Sequence, residues 1–227
     1  MKNILTIDFD IIMAPTINAY NDSVPKVSWD YLQNDPLLNL AFADLIHYYR
    51  LTKFLFYLTK FLSKEKFHFV FDHQQVVKWI PLNEPVMIWN IDHHHDLGYA
   101  DKDLEDLKGK ELNCANWVKW VIDNSSSLVQ YNWIGNENST PPHEKNKPNL
   151  LISDILKQCE LEDRFIIKPD EVIIVLSPPW VPPRIRPLYD LWRELLGDKF
   201  NTTYEIETVD ETERDCGIVM HEVDKTQ

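Results

Sequence analysis

Three short segments rich in Asp and His stand at the ends of apolar runs in this 227-residue chain. Thr6-Ile7-Asp8-Phe9-Asp10 closes one run and Phe69-Val70-Phe71-Asp72-His73-Gln74 a second. Trp89-Asn90-Ile91-Asp92-His93-His94-His95-Asp96 closes a third. On an extended backbone, carboxylates two residues apart point to the same side, roughly 6–7 Å apart along the strand. Asp8 and Asp10 have that spacing, and Asp92, His94 and Asp96 continue it over i, i+2 and i+4. An apolar strand ending in same-side carboxylates is costly unless cations compensate them. Taken singly, the Asp8–Asp10 pair also fits a turn or helix cap, and His73 an ordinary loop histidine. The unbroken ionisable run Asp92–Asp96 is harder to explain as a solvated loop, because like charges repel and buried carboxylates need counter-ions.

If the three segments meet at the carboxyl edge of one sheet, they form a single site. It would hold four carboxylates (Asp8, Asp10, Asp92, Asp96) and two imidazoles (His73, His94). Two divalent ions carry four positive charges, which match the four carboxylates. The set contains no thiolate and is rich in oxygen, so it favours Mn²⁺ over Zn²⁺. Two such ions about 3.5–4 Å apart share a water and lower its pKa towards neutrality, giving a hydroxide nucleophile. The residues alone therefore read as a two-metal hydrolase.

The elements that must carry these segments alternate along the chain. Candidate strands are Ile4–Phe9, Phe67–Phe71, Val86–Ile91, Val129–Trp133 and Val172–Leu176. They are continuous apolar runs, as a sheet covered on both faces requires. Leu37–Leu62, Asn113–Asp123 and Ile185–Leu196 read as helices, the first apolar nearly all round and so deeply packed, within the chain or against a second copy. The expected fold is α/β, a single-domain three-layer sandwich over residues 1–227 with a mostly parallel sheet. Gly135–Pro148 reads as a surface loop and 210–227 as a polar tail. Val172–Pro183 breaks from an apolar strand into Ser177-Pro178-Pro179-Trp180, so Trp180 either walls a substrate channel or packs a strand end. Asn113, Asn116 and Trp117 either line the cleft or cap and pack a helix. Asn116 and Trp180 are the candidate substrate contacts.

Composition narrows the function classes. With 36 acidic against 23 basic residues the net charge is −13, which disfavours phosphate backbones and suits cationic substrates. Five glycines leave no Gly-rich phosphate cradle. No signal peptide or membrane span is expected, and the three unclustered cysteines Cys114, Cys159 and Cys216 point to a reducing cytoplasm.

Asp92-His93-His94-His95-Asp96 resembles the Asp-x-His-x-Asp signature of the ureohydrolases, which include arginase and agmatinase. Asp72-His73 resembles the segment bearing their first metal histidine, and Asp8-Phe9-Asp10 their Asp-x-Asp pair. More narrowly, NIDHHHDLGY followed by NCANWVKW is similar to the peptide arginases, which convert arginine to ornithine in ribosomal precursor peptides. The resemblance implies two Mn²⁺ per chain, bridged by Asp8 and Asp92. His73 and Asp96 would complete one manganese, and His94 and Asp10 the other. It implies hydrolysis of a peptidyl guanidinium to ornithine and urea, with the precursor peptide as partner. In arginases the Asp-x-Asp pair follows the other motifs, whereas here it opens the chain; a circular permutation would preserve the site, because strand ends and not chain order define it. The guanidinium-holding carboxylate and proton-shuttling histidine of that family have only unplaced candidates, Glu84, Glu222, His143 and His221, each also readable as a surface residue. A rival resemblance is to two-metal phosphoesterases of the Asp-His-His class, which would use Asp8, Asp10, Asp72, Asp92, His93 and His94. A single-zinc amidohydrolase on the same fold and a binding protein without turnover are the remaining readings.

Overall fold

The five apolar runs all form strands, because their β-branched and aromatic residues are packed on both sides, the condition a parallel sheet imposes. The computed structural model describes residues 1–12, 45–62, 66–98, 112–137, 139, 147–177, 186–197 and 202–204. In it β1 is Lys2–Asp8, β2 Lys66–Val70, β3 Val86–Ile91, β4 Val129–Gly135 and β6 Glu171–Val175. Two short strands, β5 (Leu150–Leu151) and β7 (Thr202–Tyr204), have no counterpart in the sequence reading. They are too brief to leave a periodic signal, and they form the two sheet edges. The order is β5-β4-β3-β1-β6-β2-β7, and every pairing is parallel.

Four helices among the described residues cover this sheet: α1 (Leu45–Phe61), α2 (Trp117–Asn124), α3 (Ile152–Glu162) and α4 (Arg186–Gly197). Successive β6 residues separate two cores. Val172 and Ile174 join the core containing Leu51, Phe54, Ile155 and Trp192, from α1, α3 and α4. Ile173 and Val175 join that of Val76, Trp117 and Val121, from α2 and the 3₁₀ helix His73–Trp79. Helices on each face of one parallel sheet make this an α/β three-layer sandwich.

Helix α1 is packed within the chain along one face. Leu51, Phe54, Leu55, Leu58 and Leu62 recur at helical spacing and are buried, each worth roughly 1.5–3 kcal/mol over exposure. Tyr49 and Phe56, on the same helix, are 62% and 60% exposed. The stretch 37–44 lies outside the described residues, as do Trp180 and the tail 210–227. Helix α3 went unread because its apolar face, Ile152, Ile155, Leu156 and Cys159, is diluted by seven other residues in an 11-residue helix.

Chain order places the site. From β1 the chain crosses to β2, beyond β6, and then returns past β1 to lay down β3, β4 and β5 on the other side. β1 and β3 thus adjoin a switch point, where carboxyl strand ends leave a crevice for ligands. Asp8 ends β1, Asp92 follows β3, His73 follows β2 and Ser177 follows β6.

The 135–148 stretch is corrected: it does not begin at the surface. β4 runs on to Gly135, while Asn136 and Ser139 are 1% and 3% exposed. The Asn136 N–H donates to Ser139 Oγ at 2.8 Å. Asn136 Nδ2 donates to the Ile11 carbonyl at 2.6 Å and so steadies the 3₁₀ turn Phe9–Ile12 that bears Asp10. A Cβ at Gly135 would lie 2.5 Å from Pro148 Cγ and 2.7 Å from Ser139 Cβ. Gly135→Ala should therefore destabilise the fold by about 1–3 kcal/mol through overpacking, read as a lower urea midpoint. An unchanged midpoint would mean that this loop is not packed as described.

Candidate metal centre

The strand β1 alternates faces, so Ile4, Thr6 and Asp8 point to the side of α2. Asp8 is 2% exposed, and its Oδ1 accepts the N–H of Asp10 at 3.0 Å. Asp10 is not on an extended strand, as its spacing suggests, but in the 3₁₀ turn that starts at Phe9. Asp92–Asp96 is likewise bent, not extended. Asp92 Oδ1 accepts the N–H of His94 at 2.7 Å, closing a local turn. Asp96 has φ of 53°, a left-handed conformation that costs a non-glycine residue about 1–3 kcal/mol and clusters at functional sites.

These bends bring all six sequence-selected residues together. Asp8, His73 and Asp92 offer ligand atoms mutually within 4.8 Å, and so do Asp10, Asp92 and His94. Asp92 belongs to both groups. His73 Nδ1 lies 3.0 Å from Asp8 Oδ2, 3.1 Å from Asp92 Oδ2 and 3.0 Å from Asp96 Oδ2. His94 Nδ1 lies 2.7 Å from Asp10 Oδ2 and 3.8 Å from Asp92 Oδ1. Asp8, Asp10, His73, Asp92 and Asp96 are all buried, whereas the His94 side chain is 28% exposed and marks the open side.

The donor chemistry fits a cation. Nδ1 of His73 carries at most one proton, which cannot serve three carboxylate oxygens at hydrogen-bond distance. A divalent ion satisfies several carboxylates and a deprotonated imidazole nitrogen at once. His73 Nε2 is engaged by Thr6 Oγ1 at 3.1 Å, which leaves Nδ1 facing the carboxylates. The two groups thus have the composition, spacing and burial to hold metal.

Electrostatics tell the same story for the metal-free state. Burial, then the charge of Asp92, raises the Asp10 carboxyl to about 6; burial, then Asp96, raises Asp92 to about 7. Asp8 is raised by burial and then by Asp10. Burial opposes charging of the imidazoles, but the carboxylates outweigh it. His94 is raised to about 10, led by Asp10, and His73 rises well above its ordinary range through Asp96, Asp92 and Asp8.

Around the six stand residues whose roles were not visible in sequence. Ser177 Oγ donates to Asp8 Oδ2 at 2.5 Å from a residue with φ of 49°. Asn90 Nδ2 donates to Asp92 Oδ2 at 3.0 Å. Trp133 Nε1 donates to the Asp92 carbonyl at 2.9 Å, and Tyr131 OH to that of His95 at 2.8 Å. Strand parity would have revealed two of them, since Thr6 and Asn90 each lie two residues before a ligand candidate on the same face. The others come from distant chain and left no local signal.

Asn116 is fully buried, and its Oδ1 accepts the N–H of Asn113, closing the turn before α2. Glu84 is exposed in the turn before β3, at the opposite end of that strand. Trp180, His143, His221 and Glu222 lie outside the described residues. Neither Asp72, which the phosphoesterase arrangement requires, nor Asp96, which the ureohydrolase arrangement requires, belongs to the two metal-competent groups; Asp96 Oδ2 lies 3.0 Å from His73 Nδ1, and the Asp72 N–H donates to Gln75 Oε1 at 3.0 Å at the start of the 3₁₀ helix. His93 and His95 are buried, and His95 Nδ1 accepts the N–H of Leu97. No family model, curated protein or solved structure matches the chain. Among the described residues no helix is long and apolar enough to cross a membrane.

A pH dependence follows. The raised carboxyls keep protons that the unfolded chain loses, so their contribution declines as pH rises from 3.8 to about 7. The raised imidazoles contribute stability below 6.5 and lose it as pH climbs to about 10 for His94. Both act in one direction, so chelator-treated protein should melt at falling temperature from pH 5 to 9. Added Mn²⁺ should flatten or reverse this trend and release protons on binding, measurable by calorimetry in buffers of different ionisation enthalpy. A metal-free melting temperature that rises over this range would contradict the described burial of the cluster.

Proposed function

We propose that this chain is a manganese-dependent hydrolase of the ureohydrolase type. It would act in the cytoplasm on the guanidinium of arginine in a ribosomally made precursor peptide, giving ornithine and urea. The observation that carries the reading is the pair of Asp/His groups sharing Asp92, one built on His73 and the other on His94. Asp8, His73 and Asp92, with Asp96 beside His73, would hold one cation, and Asp10, Asp92 and His94 the other. When bound, two divalent ions supply Lewis-acid polarisation and bring the pKa of a shared water towards neutrality.

The chain's own residues around the two groups support the reading. Thr6 engages His73 Nε2 and leaves Nδ1 for the cation. Ser177 and Asn90 hold the carboxylates of Asp8 and Asp92, so that little reorganisation accompanies the reaction. The buried side, with Asp8, His73 and Asp96, excludes bulk water, and the part-exposed His94 stands where a substrate side chain approaches. A net charge of −13 favours an incoming cationic group. The preference for arginine within a peptide rests on the NIDHHHDLGY and NCANWVKW resemblance.

Incubating an arginine-containing peptide with the protein and Mn²⁺ should remove about 42 Da per modified arginine, with urea released in equal amount, as two-metal hydrolysis of a guanidinium requires. Asp8→Asn and Asp92→Asn should each lower this rate by at least the ~100-fold that even an outer-shell change can bring. Hydrolysis of bis-p-nitrophenyl phosphate with no urea from any arginine peptide would overturn the proposal in favour of a phosphoesterase.

A further inference from the structure

Trp117 opens helix α2 and is fully buried. Its indole Nε1–H donates to Asp96 Oδ2 at 2.6 Å. The same indole packs on the ring of His73, with centroids 4.9 Å apart and planes at 38°. One side chain therefore touches two of the six residues at the proposed cation site. The backbone reinforces the link, because Val118 N–H donates to the Asp96 carbonyl at 3.2 Å. Asp96 needs such a hold, since its left-handed backbone is intrinsically disfavoured. Its Oδ2 also points at His73 Nδ1, 3.0 Å away.

We propose that Trp117 is a positioning residue that sets cation affinity through the carboxylate of Asp96 and joins helix α2 to the metal centre. This rests on the cation reading above but not on the substrate. The indole N–H is a neutral donor. It orients one carboxylate oxygen without adding charge that would compete with a cation, and its ring fixes the imidazole from the side. Outer-shell donors of this kind typically alter metal affinity about 10–100-fold. Trp117→Phe keeps a ring against His73 and removes only the donor.

The test measures Mn²⁺ affinity, read as loss of the aqueous Mn²⁺ paramagnetic resonance signal on titration into the full chain. Trp117→Phe should weaken binding roughly 10–100-fold. Asp96→Asn should weaken it at least as much, and Trp117→Phe added to Asp96→Asn should change little further, because both act through one group. Independent, additive losses, or unchanged affinity in Trp117→Phe, would overturn the proposal. Should Trp117→Phe fail to fold, metal-free wild-type protein supplies the second measurement. Of its eight tryptophans, one should show an indole N–H proton resonance that moves strongly on Asp96→Asn, and no movement would equally sink the idea. Wild-type protein that takes up no Mn²⁺ would instead end the cation reading itself, a result distinct from a failure of Trp117 alone.

Discussion

Too few protons for too many carboxylates is the constraint on which this structure turns. At the carboxyl edge of the sheet, one imidazole nitrogen faces three carboxylate oxygens at 3.0–3.1 Å. Buried acids in that arrangement are either partly protonated or neutralised by cations. The raised carboxyls and imidazoles describe the first solution, in which the site holds itself together by sharing protons. The second replaces those protons with metal and makes the same groups ligands. A cluster poised between the two is expensive to build for structural purposes alone, which is why it reads as a working site.

The sheet topology makes the convergence possible. β1, β3, β6 and β2 are neighbours in the sheet although they are scattered along the chain. Each contributes a residue at or just beyond its carboxyl end: Asp8, Asp92, Ser177 and His73. The two apolar cores hold these strand ends in place. Side-chain hydrogen bonds then hold several of the charged groups individually, Ser177 donating to Asp8, Asn90 to Asp92 and Trp117 to Asp96, with Thr6 Oγ1 paired to His73 Nε2. One anchored residue, Asp96, and one of the donors, Ser177, have left-handed backbones. Local strain at these positions is sustained by the surrounding hydrogen bonds.

The two groups bring together Asp8, His73 and Asp92, and Asp10, Asp92 and His94, with Asp96 Oδ2 3.0 Å from His73 Nδ1. The N–H of Asp72 donates instead to Gln75 at the start of its own 3₁₀ helix. Which residue of the adjacent Asp72-His73 pair joins the cluster is a matter of a single backbone step.

Much of the fold and most of the site were legible in the chain. Uninterrupted apolar runs identified five strands and the layered α/β class, because a parallel sheet buries both faces. The acidic and histidine-rich endings of three of those runs selected the six residues that meet, because charge at the end of an apolar strand demands compensation. The spacing argument reached the right residues by geometry that is only partly real, since Asp10 lies in a 3₁₀ turn and Asp96 in a left-handed bend. The two edge strands and α3 were not legible, being too short or too weakly apolar to leave a pattern. Asn116 and Trp117 could be read either as cleft or as packing; both prove buried, with Trp117 set against Asp96 and His73. What tertiary structure alone determined was the set of neutral partners: an indole and a serine hydroxyl reach their carboxylates across 21 and 169 residues of chain. Composition and periodicity report what each segment needs, but only the folded sheet decides which distant segment supplies it.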